Sequence, residues 1–251
     1  MANTHQADFA RASSQYAVIT NDLGITGGNI TIEAWINVES APASGNVYAI
    51  AQQQDAGTSV TYGIFYTNEA GTKKLYVERI KHGVVNNNAS YTVDLGTATC
   101  YHVVLRYDGT DLKLFTAQAG GTHTERATVA GSGNGSATNN DHFVIAQYQS
   151  TDSGTFAADA NNYPDMLIDD VRVWNTARTT TQLNDNFETE LIGTESGLVA
   201  YYTLNNVWTD LTANAFNLTA NGSPTFVTTS LCFTGAVASS RSRRMMVGLG
   251  T

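Results

Sequence analysis

Short runs of apolar residues alternating with polar ones recur along this chain, the pattern of strands whose successive side chains point to opposite faces. The clearest runs are 16–19, 30–38, 47–52, 62–66, 75–80, 101–107, 112–116, 143–146 and 166–174, with further candidates at 198–204 and 226–233. Between them lie Gly27-Gly28, Asn68-Glu69-Ala70-Gly71, Asp108-Gly109 and the small polar stretch 131–141, so strands are punctuated by turn chemistry in the rhythm of a sandwich. Residues 101–115 read as a hairpin, because the Asp108-Gly109 step supplies the positive φ of a tight or bulged turn.

Helical spacing occurs once. Over 179–187 either Thr179 or Thr180 can cap the start, and Leu183 and Phe187 stand four apart on one face, predicting a short helix at the sandwich edge. Pairing of 198–204 with 226–233 would close the sheets and remove an exposed edge. Segments around Asn86-Asn87-Asn88, 131–140 and 151–162 read as long polar loops, mobile rims or a recognition surface. No internal repeat is sustained. After residue 238 the rhythm breaks, predicting a domain over 1–237 and an exposed arm over 238–251.

Composition sharpens this picture. In 251 residues, 42% are hydrophobic but only 14% charged, against about 25% in average soluble domains. Few Lys and Glu with abundant Thr, Tyr and Val disfavour an all-α fold and suit pleated strands. The length suffices for one large β domain with a real core. The formal charge of −9 argues against a nucleic-acid binder, whose affinity comes from cations neutralising phosphates. That total conceals an uneven distribution: Arg241, Arg243 and Arg244 sit in the arm without an acidic residue, leaving 10 basic against 22 acidic groups in the body. Two cysteines cannot form a disulfide framework, and the apolar neighbours of Cys100 and Cys232 favour two buried thiols over a single bridge. No run approaches the ~18 apolar residues of a membrane span, and the first residues lack the features of a signal peptide, so a chain made in the cytoplasm is expected.

Taken in order, the segments Tyr16-Ala17-Val18-Ile19, Ile30-Thr31-Ile32-Glu33-Ala34-Trp35-Ile36, Tyr101-His102-Val103-Val104 with Asp108-Gly109-Thr110-Asp111-Leu112-Lys113-Leu114-Phe115, and Ile168-Asp169-Asp170-Val171-Arg172-Val173-Trp174-Asn175 are distinctive together. With Leu198-Val199-Ala200-Tyr201-Tyr202-Thr203-Leu204 and Asp210-Leu211-Thr212-Ala213-Asn214, this order resembles the laminin G-like and pentraxin-like branch of the concanavalin A-like jelly rolls, over about residues 7–233. The resemblance implies an all-β, antiparallel two-sheet jelly-roll sandwich with one short helix. It departs at Cys100, where the family usually carries Trp before the Tyr-His pair, and the loss of that ring supports the buried-thiol reading.

Candidate chemistry follows from this frame. Glucanases of the superfamily carry a Glu-x-Asp-x-Glu strand whose alternate carboxylates flank a glycosidic bond, and no such pattern occurs here. Nucleophile elbows, His-Glu-x-x-His, Cys-x-x-Cys and phosphate-binding loops are also lacking, so a non-enzyme is expected, with a glycoside hydrolase as the least favoured alternative. His102, inside a strand motif, is expected to be a packed histidine. Pentraxins bind ligands through calcium, which needs several converging oxygens. Asp55 in Gln53-Gln54-Asp55-Ala56 matches one ligand loop, but Ala56, Tyr148 and Ser150 replace expected ligands, leaving a single ion on Asp55 or Asp152 with main-chain carbonyls as the calcium option. Asp169 and Asp170 alternate to opposite faces; one is expected to pair with Arg172 or a turn and the other to face solvent.

Sugar rings stack on flat side chains. Trp35 and Trp174 belong to core motifs, whereas Tyr148, Tyr163 and Trp208 lie in polar, loop-like contexts and, with Gln149 next to Tyr148, form the candidate ligand set. The expected function is therefore a non-enzymatic binding module that recognises a glycan or a surface protein through its loops. The alternative is a structural virion protein, a phage head decoration or tail adhesin, docked on a capsid lattice through Arg241, Arg243 and Arg244, with homo-oligomerisation open in either case.

Overall fold

In the computed structural model, residues 3–19, 23–25, 28–54, 60–80, 86–131, 142–148, 159, 162–228, 232 and 236–237 are described. They form two antiparallel sheets with a shared core. The eight-stranded sheet runs in the order β10 (Thr124–Ala130), β9 (Asp111–Ala117), β8 (Cys100–Asp108), β3 (Asn29–Ser40), β12 (Asp165–Trp174), β1 (Gln6–Phe9) and β16 (Thr225–Val227), with β14 (Leu198–Tyr202) also paired to β12. The seven-stranded sheet runs β15 (Thr219–Asn221), β2 (Tyr16–Ile19), β11 (His142–Ile145), β4 (Val47–Gln54), β5 (Val60–Glu69), β6 (Thr72–Ile80) and β7 (Asn86–Thr92). A short parallel pair joins β13 (Thr189–Glu190) to β17 (Ala236–Val237). The chain alternates between the two large sheets, and this is the jelly-roll sandwich that the motif order implies.

Period-two patterning sets which side chains meet between the sheets. Ile30, Ile32, Ala34, Ile36 and Val38 of β3 face Tyr48, Ile50, Ile64, Tyr66, Leu75 and Val77 of the other sheet across one core. The hairpin turn between β8 and β9 forms as expected: Gly109 takes φ +87°, and Asp108 Oδ1 accepts the amides of Thr110 at 3.1 Å and Asp111 at 2.9 Å. Those amides hold the Asp108 carboxyl below its ordinary pKa.

Several expectations need correction. Residues around Asn86-Asn87-Asn88 are strand rather than loop, because β7 pairs with β6 over seven residues, from Lys74 opposite Thr92 to Ile80 opposite Asn86. Strands β1 and β10 are not legible as apolar runs; β10 is an edge strand whose first three residues, Arg126 among them, are exposed and in which only Ala127 and Val129 are half-buried. The candidate strands 198–204 and 226–233 do not pair with each other: β14 joins β12, and the shorter β16 joins β1. Cys100 and Cys232 are bridged, not free thiols. Their apolar surroundings suit a disulfide as well as a thiol, and a partner 132 residues away leaves no local pattern.

The outer face of the eight-stranded sheet is buried as a second layer. Helix α1 (Thr180–Asn186) is capped by Thr179, whose hydroxyl accepts the Gln182 amide at 3.2 Å while the Gln182 side chain accepts the Thr179 amide at 2.9 Å. Its Leu183 packs on Val104 and Phe115, so α1 lies on the sheet face rather than at the sandwich edge. Trp35 and Trp174 are fully buried here: Trp35 Nε1 donates to Phe187 O at 2.8 Å, and Trp174 Nε1 donates to Glu33 Oε1 at 2.5 Å. His102 is a packed histidine, also fully buried, and burial first, then His123 and Arg172, push its pKa well down. It is therefore neutral, so Glu33 Oε2 at 3.6 Å makes no ion pair with it.

Neither Asp169 nor Asp170 reaches solvent, contrary to expectation. A bulge between Asp169 and Arg172 interrupts strand alternation, with Asp170 at φ +50°, and both carboxylates turn inward. Asp170 pairs with Arg172, and Asn3 Nδ2 donates to Asp169.

Candidate functional site

The open end of the inter-sheet space lies where the edge strands β7 and β10 come together. Along β9 the inward positions run Leu112, Leu114 and Thr116, followed just beyond the strand by Gln118, so the apolar face becomes polar as the strand leaves the core. From the other sheet, Tyr91 of β7 stands opposite Leu75 and shares its inward face. Asn87 Nδ2 donates to Ala130 O at 2.7 Å, a side-chain staple between the two edges.

These elements enclose a groove of about 360 Å³, near the small end of the ~300–1,000 Å³ range of ligand sites. Tyr91, Tyr101, Val93 and Leu95 give it apolar and aromatic wall, while Thr116, Gln118 and Arg126 bring hydrogen-bonding groups. Both tyrosines are half-buried and lean on the core from one side. Arg126 reaches in from β10: its Nε donates to Thr116 Oγ1 at 2.7 Å, and its guanidinium lies 5.1 Å from the centre of the Tyr91 ring. The arrangement can stack a flat ring and hydrogen-bond its substituents.

The structure does not bring the sequence-predicted ligand set together. Tyr148 is half-buried on the outer face of the seven-stranded sheet, its ring edge-on to Phe65 at 5.9 Å, and Phe65 stacks on Tyr76 at 4.9 Å. Burial, then the neighbouring Glu78, raises the Tyr148 pKa. Tyr163 is only 8% exposed and sits against Tyr16. Trp208 is wedged between Phe9 at 5.9 Å and Phe226 at 4.6 Å, packed onto the main core. Gln149, Asp55, Asp152, Arg241, Arg243 and Arg244 lie outside the described residues. Among the described residues no three His, Cys, Asp or Glu side chains converge as metal ligands.

Sequence reasoning missed Tyr91, Tyr101, Thr116, Gln118 and Arg126. Tyr101 and Thr116 fall on predicted strands with nothing to mark them as ligand groups, while Tyr91 and Arg126 belong to strands β7 and β10, which the apolar pattern does not show. The one available signal was the change from Leu to Thr and Gln along 112–118.

The fold and groove can be set beside known proteins. No curated protein matches the chain. Among solved structures, a protein of inferred carbohydrate-binding function from Bacteroides ovatus superposes with a TM-score of 0.66 at 22% identity, covering 91% of this chain and 60% of that one. The chain thus spans less than two thirds of that protein. A SAP-like pentraxin from Limulus polyphemus gives a TM-score of 0.60 at 13% identity, covering 92% and 97%. Tailspike protein 2 of bacteriophage CBA120 gives 0.54 at 12%, covering 79% of this chain and 29% of the enzymatically active domain. At these identities the likeness is one of fold. A laminin G-type family model, described as concanavalin A-like lectin/glucanases superfamily, matches residues 11–184, more than half of the sequence, and the chain belongs to that family.

Proposed function

We propose that this protein is a non-catalytic carbohydrate-binding module whose ligand enters the groove between β7 and β9–β10. The observation that carries the reading is the pairing of Tyr91 and Tyr101 with Thr116, Gln118 and Arg126 around one cavity. A saccharide presents an apolar C–H face and a rim of hydroxyls, and this wall offers aromatic surface and donors in matching proportion. The inferred carbohydrate-binding function of the Bacteroides ovatus structure agrees with it.

Screening the full chain on a glycan array, followed by calorimetry on each hit, tests the reading. Tyr101→Ala is expected to weaken a hit about tenfold, the equivalent of about 1.4 kcal/mol. Gln118→Ala removes an exposed side chain without touching the core and is expected to weaken it several-fold at unchanged melting temperature. Hits insensitive to both changes would move the site elsewhere. Release of new reducing ends from a bound oligosaccharide would overturn the non-catalytic assignment.

A further inference from the structure

Among the described residues that line the groove, Arg126 is the one cation. In the β9–β10 ladder, Glu125 stands opposite Phe115 and Ala127 opposite Leu114, so Arg126 has no partner position: it is the extra residue of a bulge. Bulges re-aim a side chain that regular alternation would send to the opposite face. Glu125 keeps its outward direction and pairs with Lys113 at 3.1 Å, whereas Arg126 turns to the groove.

Two contacts then hold the guanidinium in place. Nε is occupied by Thr116 Oγ1 at 2.7 Å, and the Tyr91 ring from the opposite sheet lies 5.1 Å away. Among the described residues the two terminal nitrogens have no hydrogen-bond partner. Among the described residues no carboxylate pairs with Arg126, and the nearby acids are committed elsewhere, Glu125 to Lys113 and Asp94 to Lys73 at 2.7 Å. An arginine fixed in this way by neutral neighbours matches the two oxygens of a carboxylate in plane.

We infer that the groove's ligand is a saccharide bearing a carboxylate, a uronate or a sialate, with the carboxylate on Arg126 and the sugar ring against Tyr91 and Tyr101. This rests on the groove being the saccharide site. A densely sulfated chain is a poor fit, because the formal charge of −9 repels a polyanion at long range and the groove offers one described cation within contact. The arginine acts at contact distance, so added salt weakens binding only modestly.

The test is calorimetry of the full chain with matched acidic and neutral sugars: trigalacturonate against its methyl ester, and sialyllactose against lactose. At least one acidic member is expected to bind at least tenfold tighter than its neutral match, and which pair responds identifies uronate or sialate. Arg126→Gln is expected to reduce that preference to within about twofold by weakening the acidic sugar far more than the neutral one, and to keep the melting temperature; Arg126→Lys should restore part of the preference.

Equal binding of acidic and neutral sugars, with Arg126→Gln weakening both alike and Tyr101→Ala harmful, would overturn the carboxylate while leaving the groove as the saccharide site. No binding of any of the four sugars would overturn the inference outright. Tighter binding of a heparin-derived tetrasaccharide than of either acid would also overturn it. Binding of an acidic sugar that ignores Tyr101→Ala and Gln118→Ala would remove the groove itself.

Discussion

At the scale of the residue, the outer face of the seven-stranded sheet holds a carboxylate whose charge the fold opposes. Glu78 stands opposite Gly63, and the Phe65 ring folds back so closely that a Cβ on Gly63 would meet it at 2.4 Å. This apolar cover accounts for a Glu78 pKa pushed up to about 7 by burial, against an ordinary 4.5. Because the folded value is raised, the native state holds the proton more tightly than the unfolded chain. Its contribution to stability is complete below about pH 4.5 and is lost as pH rises through about 7. Between pH 5 and 8 the wild type should therefore lose about 2–3 kcal/mol relative to Glu78→Gln in urea titrations. Parallel profiles for the two proteins would show that the carboxyl is not desolvated in the folded chain. None of this was legible in the sequence, where Gly63 and Glu78 are 15 positions apart and share a face only through strand register.

At the scale of the element, α1 shows how a locally weak signal becomes a fixed structure. Seven residues are too few for an isolated helix in water, so its cap and its packing must supply the stability. A cap at Thr179 or Thr180 and an inward Leu183 are legible in the sequence, whereas the choice of Thr179 and the reciprocal bond from Gln182 come from the structure. The anchor is not legible there: Arg172 of β12, fully buried, donates to Asn186 O at 3.0 Å and Thr189 O at 2.8 Å, tying the last residue of α1 and the first of β13 to the sheet. Burial also pushes Asp170 up to about 6 even with Arg172 beside it, so this pair is held by geometry rather than by favourable solvation. Arg172→Met should cost about 3–5 kcal/mol, since it leaves Asp170 buried without its partner, and adding Asp170→Asn should recover a substantial part. A double-mutant cycle by chemical denaturation checks this; additive losses would mean that the two side chains are not coupled. The same register logic explains β7, whose polar residues read as loop, and β10, which shows no apolar run, because edge strands are specified by pairing more than by apolar content.

At the scale of the whole molecule, the Cys100–Cys232 bridge joins the start of β8 to the C-terminal segment across 132 residues. The Cys232 amide donates to Gln6 Oε1 at 3.4 Å, and both cysteines pack beside Trp35, Phe187 and Ala117, so one cross-link holds the closing segment over the second buried layer. Removing a loop closure of this length should cost about 2–5 kcal/mol, observed as a lower melting temperature for Cys100→Ser/Cys232→Ser and for the wild type in reductant. Identical melts with and without reductant would show that the bridge adds no stability. The sequence by itself determined the sandwich, its principal strands and its hairpin turn, because period-two patterning and turn chemistry act over a few residues. Only the tertiary structure decided that the two cysteines meet, that both Asp169 and Asp170 turn inward, and that Tyr91 and Arg126 from opposite sheets share one groove. Those outcomes depend on register, on a single extra residue in an edge strand, and on contacts between residues far apart in the chain, none of which local periodicity encodes.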